Sequence, residues 1–129
     1  MEGKVDLFPF IRPKTRNGVT KEVITGCGLL LVTINFDNFG YPFEVRCKLG
    51  KSGGCPSSQT EAVGNLSSLI LLHTPPKERL AKMRKIIKNL RGITCDKPCS
   101  SARSCSDGTA IALENYMEAK EGGDNSGKA

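Results

Sequence analysis

Apolar and polar positions change their period several times along the chain, and each change marks an element. Leu29-Leu30-Leu31-Val32, continued by Ile34 and Phe36, is a dense apolar run that reads as a buried strand, and Asp37-Asn38-Phe39-Gly40 supplies turn residues. Phe43, Val45, Cys47 and Leu49 then alternate with Glu44, Arg46 and Lys48. A period of two sends successive side chains to opposite faces of a strand, so the two segments predict a β-hairpin whose second strand has one dry and one wet face. Cys47 falls on the dry face, where a buried, inert thiol is expected.

Helical spacing takes over after Gly50-Lys51-Ser52-Gly53-Gly54. Cys55-Pro56-Ser57-Ser58 opens a helix, with Pro in the first turn and Ser58 and Glu61 at capping-box spacing. Ala62, Leu66, Leu69 and Ile70 recur at helical intervals to about Leu72, and this stripe is expected to cover the dry side of the hairpin. Thr74-Pro75-Pro76 ends that helix and starts another, with Leu80, Met83, Ile87 and Leu90 as its apolar stripe and Gly92 as its stop. Residues 93–105 read as a cysteine-bearing loop, after which Ser104, Ser106 or Asp107 can cap a last helix whose apolar face is Ala110, Leu113 and Met117.

The flanks differ in character. Over residues 1–20, Phe8-Pro9-Phe10-Ile11-Arg12-Pro13 followed by Arg16-Asn17-Gly18 predicts an extended arm ending in a turn. Residues 118–129, rich in glycine and charge, predict a disordered tail. What lies between, residues 21–117, is expected to be a single α+β domain: an antiparallel β-hairpin or small sheet packed against about three helices.

Length limits what such a domain does alone. With 129 residues there is room for one modest core, which excludes a multi-step radical enzyme. No apolar run is long enough to cross a bilayer, and Met1-Glu2-Gly3-Lys4-Val5-Asp6 does not read as a secretory signal, so a cytoplasmic protein with no membrane partner is expected. In a reducing compartment, six cysteines point to metal ligands, redox groups or buried thiols rather than to a disulfide framework. The formal charge is +6, and Lys77, Arg79, Lys82, Arg84, Lys85, Lys88 and Arg91 crowd into one segment. That stripe is either a solvated helix face or a surface for nucleotide or nucleic acid, carried by Lys82, Lys85, Lys88 and Arg91; no aromatic residue is interleaved to stack on bases.

Four constellations bear on chemistry. Gly50-Lys51-Ser52 resembles the end of a P-loop, but position 45 is Val where that motif needs Gly. A weaker anion site at Lys51, Ser52, Gly53 and Gly54 survives, through backbone N–H groups ahead of a helix, against a turn that merely needs glycine. Cys27, Cys55, Cys95, Cys99 and Cys105 are candidate metal ligands; four thiolates suit zinc, yet no Cys-x-x-Cys pair is present and spacing alone does not choose the set. Cys95 and Cys99, near Lys97 and Arg91, form a candidate redox dithiol. His73 is the sole histidine and stands at a helix end, which suits a structural role better than a catalytic base.

Taken in order, the contexts of the cysteines are more specific than their spacing. Thr25-Gly26-Cys27-Gly28, Val32-Thr33-Ile34-Asn35-Phe36-Asp37, Pro42-Phe43-Glu44-Val45, Leu49-Gly50-Lys51-Ser52-Gly53-Gly54-Cys55, Leu90-Arg91-Gly92-Ile93-Thr94-Cys95 and Ser104-Cys105-Ser106-Asp107 follow one another. From about Arg12 to Tyr116 the chain resembles the TSCPD domain, found at the C-terminal end of adenosylcobalamin-dependent (class II) ribonucleotide reductases and as free-standing small proteins.

The resemblance implies that Cys27, Cys55, Cys95 and Cys105 are the recurring cysteines and the ligands of a structural zinc, with Cys47 and Cys99 additions of this chain. It implies an accessory or interaction module, not catalytic alone, whose partner is a ribonucleotide reductase catalytic subunit. Two departures matter. The signature segment reads Arg103-Ser104-Cys105-Ser106-Asp107, with Arg in place of Thr and Ser in place of Pro, and no cysteine follows Cys105 to match the mobile pair of the full-length reductases. Neither the radical-generating barrel nor a cobalamin site is expected in this chain.

Overall fold

The structure is a computed structural model that describes residues 16–26, 28–50, 54–94 and 104–122, the side chains of residues 54–56, 121 and 122 excepted. Its centre is an antiparallel sheet in the order β1 (Asn17–Thr25), β2 (Gly28–Phe36) and β3 (Pro42–Leu49). Three α-helices follow: α1 (Gly54–Leu72), α2 (Arg79–Leu90) and α3 (Cys105–Gly122), with a single 3-10 turn at Pro76–Glu78 ahead of α2. The α+β expectation therefore holds, with a third strand added to the hairpin. Asn17, read from the sequence as part of a turn, begins β1, and the last helix runs on past residue 118 to Gly122.

Strand alternation builds the core. Leu30, Val32 and Ile34 of β2 are fully buried and pair across to Leu49, Cys47 and Val45 of β3 and to Val23, Lys21 and Val19 of β1. Met83, Ile86 and Ile87 of α2 and Ala110, Leu113, Tyr116 and Met117 of α3 close over this face. Phe36 stacks on Tyr116 with ring centroids 6.4 Å apart. The β2–β3 turn is held by Asp37, whose side chain accepts from the N–H groups of Phe39 and Tyr41, both at 2.9 Å.

Glu44, assigned by alternation to the wet face, is nonetheless buried there. It accepts hydrogen bonds from Asn35 (2.7 Å) and Arg16 (3.2 Å), and Arg46 lies at 3.6 Å, so the carboxylate is desolvated but fully partnered.

The packing of α1 overturns one expectation. Leu66, Leu69 and Ile70, the stripe expected to cover the hairpin, are 60%, 50% and 42% exposed, and Ala62 is exposed as well. The inward face is instead Thr60, Gly64, Ser67, Ser68 and Leu71. The cause lies in β3, an edge strand whose outer N–H and C=O groups need partners. The Ser68 hydroxyl accepts from the Val45 N–H at 2.8 Å and donates to the Val45 carbonyl at 3.0 Å. Helix and strand backbones approach so closely that a Cβ on Gly64 would sit 3.1 Å from both the Cys47 nitrogen and the Val45 oxygen. A stripe of large aliphatics cannot enter that gap or satisfy those groups.

Candidate functional site

Hydrogen bonds at one end of the sheet gather the segments that flank the expected cysteine ligands. The Gly50 N–H donates to the Leu29 carbonyl (2.7 Å), which brings the exit of β3, leading to Cys55, against the β1–β2 turn that contains Cys27. In that turn the Thr25 hydroxyl donates to the Gly28 carbonyl at 2.8 Å. Cys105, the first residue of α3, points its Sγ at the same hydroxyl from 3.7 Å. The approach depends on Gly108, where an added Cβ would lie 3.3–3.4 Å from Leu30, Val23 and Thr25.

The loop that carries Cys95 is closed at its base by a second knot. Ser104 caps α3 by accepting the Asp107 N–H at 3.0 Å, and the same hydroxyl donates to the Ile93 carbonyl at 2.6 Å. Asp107, itself buried, accepts the Gly92 N–H at 2.8 Å and pairs with Arg91 at 3.6 Å. A carboxylate in the first turn also complements the positive end of the helix. Residues 92–94 and 104–107 are thereby fixed side by side, with Cys95 one residue beyond them.

Each expected site residue falls as follows. Cys27, Cys95 and Cys99 lie outside the described residues, as do Lys51, Ser52 and Gly53; Gly54 starts α1, and Cys55 is in its first turn with its side chain outside the described atoms. Among the described residues no group of three or more His, Cys, Asp or Glu lies close enough to hold a metal ion. Cys47 is a partly buried thiol 3.8 Å from the Thr109 hydroxyl, and burial pushes its pKa up from 9.0 to about 11, so it is protonated and inert at neutral pH. His73 bonds the Leu69 carbonyl through Nδ1 at 3.0 Å, at the end of α1.

The basic segment separates into different roles. Lys82, Lys85 and Lys88 stay on the surface of α2, whereas Arg91 is engaged by Asp107 and Glu114, each at 3.6 Å. Arg79, grouped with them by charge, is 4% exposed. Its Nε donates to the carbonyls of Leu71 (2.9 Å) and Thr74 (3.0 Å), satisfying the C-terminal end of α1. Burial lowers its pKa, and Asp37 opposes that shift. A signal was present in the sequence: Arg79, Met83 and Ile87 stand at i, i+4 and i+8, on the inward stripe.

Beside α1, the sheet's outer face forms a cleft of about 500 Å³ bordered by Thr20, Thr33, Arg46, Lys48, Ser57 and Glu61. Thr20 and Thr33 are already hydrogen bonded to each other across the strands at 2.9 Å. No described helix is long and apolar enough to cross a membrane.

A three-stranded sheet backed by helices, with described residues on either side of the cysteines hydrogen bonded together at one end, defines a small α+β domain. Residues 3–117 match the family model of the TSCPD domain, and the chain belongs to that family. No curated protein and no solved structure gives a match.

Proposed function

We propose that the chain is an accessory or interaction module related to the C-terminal domain of adenosylcobalamin-dependent ribonucleotide reductases, with Cys27, Cys55, Cys95 and Cys105 holding a structural zinc ion. The observation that supports it is the gathering of flanking segments: Gly50 on Leu29, Cys105 on Thr25, and Ser104 on Ile93. Segments distant in sequence are already pinned to one end of the sheet. Four thiolates there suit a tetrahedral ion, and the ion would supply a covalent-strength clasp rather than a reaction. Cys47, held neutral by partial burial beside α1, takes no part.

The test is metal analysis of protein purified without chelator. One zinc per chain is expected, released when any of Cys27, Cys55, Cys95 or Cys105 is replaced by serine and retained when Cys47 or Cys99 is. Absence of metal, with all four thiols titrating freely, overturns the clasp. Copurification with a reductase catalytic subunit tests the partner, and failure of the two to associate overturns it.

A further inference from the structure

The outward stripe of α1 is not isolated on the surface. Val63, Leu66 and Ile70 of α1 face Ile86 and Leu90 of α2 across a groove of about 250 Å³, with Lys82 and Lys85 on its rim. Neither ammonium group has an ion-pair partner among the described residues. Leu66 and Ile70, 60% and 42% exposed along this groove, each waste roughly 1 kcal/mol or more of burial that a partner would recover.

We propose that this groove docks an acidic amphipathic helix of a partner protein. Two features fix the occupant's chemistry. The floor is aliphatic and the free charges at its edge are both cationic, so an apolar stripe flanked by Glu or Asp is the complement. The walls are two helices whose backbone groups are spent internally, so an extended peptide would bury unpaired N–H and C=O groups where a helix brings its own satisfied. From Lys82 to Leu90 at 1.5 Å per residue the groove runs about 12 Å, the length of two helical turns. A second copy of this chain is the wrong partner, because it would set Lys82, Lys85 and Lys88 against their own kind on a molecule already at +6.

This inference names a partner class for the interaction module and rests on that reading, but not on the metal. A chain that keeps its zinc and ignores the partner helix overturns the groove alone; one that lacks zinc and still binds overturns the clasp alone.

The experiment titrates the full chain with a synthetic amphipathic helical peptide of Leu and Glu, its Leu and Lys counterpart, and a DNA duplex. The Leu/Glu peptide should bind. Lys82→Glu with Lys85→Glu should weaken it at least about tenfold and transfer the preference to the Leu/Lys peptide. Leu66→Ser with Ile70→Ser should abolish binding while leaving the thermal midpoint of the free chain within a few degrees. Failure of the Leu/Glu peptide to bind, indifference to the charge reversal, displacement of the peptide by DNA, or self-association relieved by Leu66→Ser would each overturn the proposal.

Discussion

Helices α1 and α2 lie side by side, and over most of its length α1 buries the opposite kind of residue from α2, joining the aliphatic core only at Leu71 and Leu72. α2 turns Met83, Ile86 and Ile87 inward and its lysines outward, whereas α1 turns Gly64, Ser67 and Ser68 inward and leaves Leu66, Leu69 and Ile70 at the surface. The difference follows from what each one meets. α2 packs on the side chains of other elements, where large aliphatics fill space. α1 packs on the open backbone edge of β3, where leaving the Val45 N–H and C=O buried and unpaired would cost about 1–3 kcal/mol each. Finishing the burial of Leu66, Leu69 and Ile70 would gain roughly 1 kcal/mol or more each, a similar sum, but the 3.1 Å approach at Gly64 leaves them no room, and a short hydroxyl reaches both edge groups.

The contrast can be broken at its hinge first. Arg79→Ala should destabilise the protein by about 2–4 kcal/mol in urea denaturation, because the Leu71 and Thr74 carbonyls both lose the guanidinium where α1 hands over to α2, and the Leu71 carbonyl keeps the Thr74 N–H. Arg79→Lys should recover less than half, since one ammonium cannot reproduce the guanidinium's fixed geometry.

Alkaline pH probes the packing beside α1. The Cys47 thiol has its pKa raised by burial to about 11 from 9.0, so the native state holds the proton more tightly than the unfolded chain. That contribution is fully present below pH 9 and fades as pH rises toward about 11, amounting to at most about 3 kcal/mol. Tyr116, pushed up to about 12 by burial and then by Asp37, continues the loss above pH 10. Denaturation midpoints across this range should fall, and Cys47→Ala should remove the earlier part of the decline.

Two substitutions sharpen the account of α1's inner face. Gly64→Ala raises helix propensity by about 1 kcal/mol, yet its methyl would meet β3 backbone at 3.1 Å, so a net loss of about 1–2 kcal/mol is expected from the same denaturation experiment. Ser68→Ala, which removes the partner of both Val45 groups, should cost about 2 kcal/mol or more and speed hydrogen exchange at the Val45 amide. On the outer face, Leu66→Ser should change stability by no more than about 0.5 kcal/mol.

The same contrast explains what the sequence made legible. Alternation at Phe43, Val45, Cys47 and Leu49 declared a strand with a dry face, and Leu80, Met83, Ile87 and Leu90 declared a buried helix stripe, because in both cases side chains meet side chains. β1 was harder to see: its run from Asn17 to Lys21 is largely exposed, so no apolar period marks it. The orientation of α1 was misread because apolar periodicity assumes that large residues go inward, and nothing in a pattern of hydropathy reports an unpaired strand edge. Arg79 was hidden by its charge, although its spacing with Met83 placed it on the inward stripe. At the candidate site, the order of the cysteine contexts pointed to the family, while the roles of Thr25, Ser104 and Asp107 emerge only from hydrogen bonds across distant segments.

Side-chain oxidative footprinting of the free chain tests the two-faced helix most directly. Leu66, Leu69 and Ile70 should oxidise readily while Leu71, fully buried one position further on, stays protected. Protection of Leu66 and Ile70 together with oxidation of Leu71 would contradict the account, since α1 would then face the sheet with its aliphatic stripe and no groove would remain to be filled.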